Sequence, residues 1–196
     1  INKSVQPSNF NVKITATATK YSSISDTKTV SVTVEQPDPS SITINGENTL
    51  TAYYKEETVF TDKAYTATVT PSTAVQTVKW SIYNGQVNGI SIDTTTGVIT
   101  VKDIVEVNKY QMALCATSTV DNNIKGYKQI SIVVKHKDVT SVDITSYPDQ
   151  NQLTFVQGIG GTTMVNCKAQ VNPYPSADQK VTWSIASGQV DGISMD

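Results

Sequence analysis

From Trp80 to Asp93 the chain reads WSIYNGQVNGISID, and from Trp183 to Asp196 it reads WSIASGQVDGISMD, with four differences in fourteen positions. Agreement of that order implies a repeated unit, and internal repetition restricts the possible architectures more than any single residue does. The same relation extends through the chain. Phe10, Val12, Ile14 and Ala16 align with Tyr110, Met112, Leu114 and Ala116, while Val30, Val32 and Val34 align with Ile130, Ile132 and Val134, all at an offset of 100. Val69-Thr70-Pro71 returns as Val171-Asn172-Pro173, offset 102, and Val78-Lys79-Trp80-Ser81-Ile82 as Val181-Thr182-Trp183-Ser184-Ile185, offset 103. The unit is therefore about 100 residues long.

The phase of the repeat divides the chain into three parts. Residues 1–36 match the closing half of a unit, residues 37–137 make one complete unit, and residues 138–196 match the opening half of the next. Pro37 and Pro39 mark the first boundary, and Lys135-His136-Lys137-Asp138 marks the second. Both joints are short, which implies closely coupled repeats rather than freely tethered ones. This phase leads us to expect a segment of a longer protein. Each half is expected to show apolar faces and unpaired strand edges, completed either by further residues of the same chain or head to tail by another copy.

Inside the complete unit the segments are short, alternate with period two and end at turn residues, as half-buried strands do. Ile42 and Ile44 open it, followed by Tyr65, Ala67 and Val69 before Pro71. Val78, Trp80 and Ile82 form a central strand, and Ile90 and Ile92 follow the loop from Gly85 to Gly89. Thr96-Gly97 turns the chain into Val98 to Val101, and two long segments, Tyr110 to Thr119 and Lys128 to Val134, close the unit. About seven strands per hundred residues predict an all-β fold of tandem immunoglobulin-like sandwich domains. Trp80 and Trp183, alternating with Val78, Ile82, Val181 and Ile185, read as core residues rather than sugar-stacking platforms.

The succession Ala67-Thr68-Val69-Thr70-Pro71, Val78-Lys79-Trp80-Ser81, then Ile92-Asp93 with Thr96-Gly97-Val98-Ile99-Thr100-Val101 resembles the bacterial immunoglobulin-like group 2 domain family. The resemblance covers the full unit and both flanking halves. It implies a non-catalytic spacer or adhesion module of a longer bacterial cell-surface or secreted repeat protein. Alternatives within the same resemblance are a phage virion decoration or fibre domain and an accessory module of a secreted polysaccharide-active enzyme. The implied partners are neighbouring repeats and a host-surface protein or glycan, and the implied location is extracellular, on a cell or virion surface. The family offers no catalytic residues to carry over. Two segments depart from its pattern, Tyr53 to Thr61 and Val105 to Asn108, and leave the strand register there open.

Charge and composition argue against other functions. The net charge is −2 and all 15 basic residues are Lys. The chain therefore has neither a basic field nor the planar guanidinium fork that reads phosphate or guanine, which argues against nucleic acid as a partner. No apolar run approaches the ~20 residues of a bilayer-crossing helix, which argues against direct membrane insertion. His136, the single histidine, lies in a basic joint where solvation is expected, without a nucleophile pattern around it. No ligand cluster has the spacing of a metal loop, so neither cofactor nor metal is expected. Calcium between repeats would have to use joint carboxylates such as Asp38 and Asp138. Tyr53 and Tyr54 are neighbours that cannot both point inward along a strand, so one is expected to be exposed as a possible ligand contact. The loops Gly85 to Gly89 and Gly188 to Gly192 read as turn chemistry. Of the two cysteines, Cys167 is expected to be buried and Cys115 to face outward or be partly covered.

Overall fold

The computed structural model describes residues 5–146, 166–188 and 193–194. Among these residues the elements run β1 (Ser8–Thr17), β2 (Ser25–Val34), β3 (Ser41–Asn45), β4 (Thr49–Tyr53) and β5 (Thr58–Val59). After a single 3-10 turn at Thr61–Lys63 come β6 (Thr66–Thr70), β7 (Val78–Asn84), β8 (Ile90–Ile92) and β9 (Ile99–Val101). The long β10 (Asn108–Ser118) and β11 (Lys125–Lys135) follow, then β12 (Ser141–Ser146) and β13 (Lys168–Asn172). No helix of the described residues is long and apolar enough to cross a membrane.

Pairing follows the alternation of the sequence. In β3 the side chains of Ile42 and Ile44 are buried while Ser41, Thr43 and Asn45 are exposed, and β3 runs antiparallel to β6 with Ile42 opposite Val69. β12 and β13 repeat this register, with Val142 opposite Val171 and Ile144 opposite Ala169. A four-stranded sheet has the order β4-β11-β10-β7 and a three-stranded one β5-β9-β8. β4 runs parallel to β11, with Leu50 opposite Ile132. β1 and β2 form an antiparallel pair, with Val12 opposite Val30.

The chain gathers into two compact units. One comprises Ile1–Asn45, Thr66–Lys79 and Cys115–Tyr127, and the other Gly46–Tyr65, Trp80–Leu114 and Lys128–Asp196. In the first, β3 and β6 lead into a turn after Thr70, and Thr77 is joined to Thr119 through both hydroxyls and the Thr119 N–H to Thr77 carbonyl bond. In the second, Leu50, Ile90, Ile99, Val101, Leu114 and Ile132 are fully buried, each removing a branched side chain from water. The Trp80 indole lies 6.5 Å from the Tyr65 ring in a tilted arrangement. The Tyr65 hydroxyl donates to the Glu47 carbonyl at 2.7 Å, so the polar end of this buried ring is satisfied. Gly97 closes that pocket with φ +71°, and a side chain there would meet the Tyr65 carbonyl oxygen.

Three expectations are corrected. The segment from Ser41 to Lys135 holds nine strands rather than about seven; the two extra ones, β4 and β5, flank the departure at Tyr53. The alternation of Leu50 and Ala52, both fully buried, marks β4 in the sequence. Cys115 is buried rather than outward-facing. β10 lies between β11 and β7, and small side chains such as Ala113 and Cys115 on an inner strand are sheltered by longer neighbours on both sides. Cys167 is half-buried instead of buried.

Candidate functional site

A polar cluster forms where residues 53–56 meet residues 135–137 and 176–177, all within the second unit. β4 ends at Tyr53 and the chain turns at once, Lys55 taking φ 59° and the Glu56 N–H donating to the Tyr53 carbonyl at 3.2 Å. The Tyr54 N–H donates to the Lys135 carbonyl at 2.9 Å, which fixes this turn to the end of β11. Lys137 forms an isolated parallel bridge with Ala177, its N–H donating to the Ser176 carbonyl at 3.0 Å.

One carboxylate ties these segments together. Glu56 Oε1 accepts the Lys137 ammonium at 2.7 Å and the Ser176 hydroxyl at 2.7 Å. The hydrogen bond from Lys137, followed by that from Ser176, holds the Glu56 carboxyl below the ordinary carboxylate range. Both charged side chains keep about a third of their surface in water, so the ion pair contributes at most about 1 kcal/mol and weakens with salt. Ser176 and Ala177 are themselves buried.

Aromatic rings surround the cluster. Tyr54 and His136 meet edge to face with centroids 5.1 Å apart. His136 Nδ1 lies 3.2 Å from the Ser176 carbonyl oxygen, which can only accept, so this nitrogen carries the proton in that bond. The ammonium groups of Lys135 and Lys137 sit 5.6 and 5.4 Å from the centroid of Tyr53, and that of Lys55 sits 4.7 Å from the centroid of Tyr54. The expectation that one of Tyr53 and Tyr54 is exposed is corrected, because both are half-buried. The turn breaks the strand alternation between them, which lets each ring be partly covered. The expectation that His136 is solvated is corrected as well: it is half-buried within this joint.

A second feature recurs in both repeats and escaped the sequence reading. Gln76 accepts the Val69 N–H on Oε1 at 3.0 Å and donates from Nε2 to the carbonyls of Val69 and Ala74 at 3.0 and 2.9 Å. Gln179 does the same for Val171 and Ala177, at 3.1, 2.8 and 3.0 Å. Each glutamine side chain replaces a missing strand partner on the turn that follows Val69 or Val171. The signal was available in the sequence, since the two glutamines stand 103 residues apart like the tryptophans.

The residues read as core are placed unequally. Trp80 is buried, Val78 and Ile82 are half-buried, and Trp183 is half-buried. The loop from Gly85 to Gly89 borders an open depression of about 500 Å³ that includes Asn88, Ser91, Lys102 and Ile104. The Gln86 amide is already used within the loop, donating to the Ile90 carbonyl at 3.0 Å. Of the equivalent loop, residues 189–192 lie outside the described residues. Asp93 caps the Thr96-Gly97 turn with Oδ1, which accepts the N–H groups of Thr95 and Thr96 at 3.0 and 2.7 Å and the Thr96 hydroxyl at 2.8 Å. These bonds, the Thr96 N–H foremost, hold its carboxyl below the ordinary range. Among the described residues no three His, Cys, Asp or Glu side chains converge.

No family model matches the sequence, and no curated protein does. Solved structures with some similarity include extracellular cadherin domains 3–6 of protocadherin gamma B2, at 11% identity and TM-score 0.45 over 69% of this chain and 34% of that one. The cis-dimer structure of protocadherin gammaB7 domains EC3–6 gives 15% identity and TM-score 0.45 over 83% and 42%, respectively. Domains 1–5 of protocadherin gamma B2 give 11% and 0.42 over 67% and 27%. The chain thus spans less than half the length of each of these structures. By its strands, its sheet order and its alternating core, it has an all-β, sandwich-type fold.

Proposed function

We propose that this chain is a non-catalytic spacer or adhesion module of an extracellular bacterial repeat protein, with residues 37–137 as its complete domain. The observation that carries the reading is the joint at Glu56, Lys137 and Ser176. A catalytic domain has no need to brace one repeat against the next, whereas a spacer must keep successive repeats in a fixed relation to hold a distal end away from a surface. Here the brace consists of two hydrogen bonds to one carboxylate, a backbone bridge and an edge-to-face ring pair. The side chains that could do acid–base chemistry are spent within this joint or scattered.

The test is the stiffness of the joint. Spin labels at K109C and D178C, in a C115A/C167A background, report its distance distribution by pulsed electron resonance. The expected result is one narrow distribution that broadens in E56A. It should also broaden as pH falls through the lowered Glu56 value, because protonation removes the acceptor on which Lys137 and Ser176 converge. A broad distribution in the parent at neutral pH refutes the spacer reading, as does enzymatic turnover that disappears with a single polar substitution.

A further inference from the structure

The sequence holds three Asn-Gly pairs, Asn45-Gly46, Asn84-Gly85 and Asn88-Gly89. An asparagine followed by glycine is open to attack on its own side-chain amide carbon by the next backbone nitrogen, because glycine puts no Cβ in the path of the closing ring. Sequence alone does not rank the three, but their surroundings do.

Asn84 ends β7, and the Gly85 N–H donates to its Oδ1 at 2.8 Å. The nitrogen that would attack is therefore held beside the amide group it would attack. Gly85 is itself fixed: with φ +77° it sits where a side chain would meet the Gln111 carbonyl oxygen and the Met112 backbone. Only the exposed Asn84 side chain has to turn for the ring to close. The other asparagines each lack one of these conditions. At Asn88 the turn is closed by the Ile90 N–H to Val87 carbonyl bond at 3.1 Å rather than by the asparagine side chain. Asn45 is the last rung of β3, opposite Thr66, and Gly46 lies against the Tyr65 ring. Asn108 makes the same contact as Asn84, its Oδ1 accepting the Lys109 N–H at 2.8 Å, but a lysine follows it instead of a glycine.

We propose that Asn84 is a self-modification site, deamidating through a cyclic imide ahead of Asn45, Asn88 and Asn108. The Gly85 nitrogen loses its proton and bonds to Asn84 Cγ, the Cγ–Nδ2 bond breaks, and Nδ2 leaves as ammonia after taking up a proton in place of the one Gly85 gave up. One water then opens the imide, so no oxidant or reductant takes part. If the new Cγ–N bond breaks, an aspartate stands at position 84; if the original main-chain bond breaks, an isoaspartate does, with the main chain running through Cβ and Cγ. The two products differ in what Gly85 tolerates. Aspartate keeps the oxygen that accepts the Gly85 N–H and adds a negative charge. Isoaspartate lengthens the chain just before a glycine that has no slack against Gln111 and Met112, and so loosens the end of β7. The residue equivalent to Asn84 in the other repeat, preceding Gly188, is Ser187, which has no side-chain amide to lose.

Incubation of the folded 196-residue chain at mildly alkaline pH, followed by peptide mapping with mass spectrometry, reads the exchange of the amide for a carboxylate at each asparagine. Enzymatic methyl labelling of the mapped peptides counts the isoaspartate share. Asn84 should react roughly tenfold faster than Asn88, a modest part of what holding two reacting groups in place can supply, and Asn45 and Asn108 should lag as well. In urea the contact is lost, so Asn84 and Asn88, each followed by glycine, should react at similar rates. N84Q should remove the labelling at that position. N84D, which keeps the acceptor, should melt with the parent, while the chromatographically separated isoaspartate fraction should melt at a lower temperature. The proposal is overturned if Asn84 reacts no faster than Asn88 in the folded chain, or if its lead persists in urea, since the neighbouring sequence and not the fold would then set the rate. Equal melting of the isoaspartate fraction and N84D would refute the strain assigned to Gly85.

Discussion

Replacing Gly97 by alanine puts one methyl group into the Tyr65–Trp80 pocket, and its cost follows from two separate terms. With φ +71° the residue sits in the left-handed region, which costs a side-chain-bearing residue about 1–2 kcal/mol. The new Cβ would stand 2.6 Å from the Tyr65 carbonyl oxygen and 3.0 Å from Trp80 Cε2. Neither neighbour is a flexible tip: one is backbone and the other a buried ring, so the core must shift, at about 1–3 kcal/mol for such overpacking. Together G97A should lose roughly 2–5 kcal/mol, a large part of the ~5–15 kcal/mol of a typical domain. Urea unfolding followed by Trp80 fluorescence, with Trp183 replaced by Phe, should show the midpoint falling by roughly 1–2.5 M for a slope near 2 kcal/mol/M. G97N separates the terms, because asparagine tolerates the left-handed backbone but carries the same Cβ. If G97N is nearly neutral, or G97A costs less than about 1 kcal/mol, the steric argument fails.

Two further outcomes can be checked on the same material. Burial, and secondarily the Glu47 charge, push the Tyr65 phenol from 10.0 up to about 12; the unfolded chain therefore loses that proton first, so stability should be full below pH 10 and fall as pH rises toward 12, and Y65F should flatten this limb in a comparison of chemical melts. Q76A should cost about 1–3 kcal/mol by leaving the Val69 backbone N–H without its partner, and Q76E, which keeps the acceptor but cannot donate to the Val69 and Ala74 carbonyls, should recover only part of the loss in thermal denaturation.

The sequence was most legible where alternation and repetition acted together. Ile42 and Ile44, the Trp80 strand and the two long closing strands all stand out from spacing alone, because a sheet with one buried face records its orientation every second residue. Legibility failed where a tertiary neighbour decided the outcome. Cys115 is covered because β10 is an inner strand, which a linear pattern does not reveal. Tyr53 and Tyr54 share partial burial because the chain turns between them. His136 is drawn into the joint by Ser176, a residue 40 positions away. The Gln76 and Gln179 clamps were missed for another reason: their offset carried the signal, but a polar residue after a turn reads as solvent-facing unless its hydrogen bonds are known.

The parallel run of β4 beside β11 has a mechanical meaning. If tension is applied to the N-terminal end of β4 and the C-terminal end of β11, the pull lies along the strands, and the register from Thr49 opposite Ser131 to Tyr53 opposite Lys135 is loaded all at once. Bonds loaded in shear must fail together. A hairpin-like pair such as β1–β2, pulled apart at its open end, opens one rung at a time. The middle repeat therefore holds a pairing that resists such tension in shear, five rungs at once, so that its lifetime under load is set by the failure of the whole register rather than of single bonds.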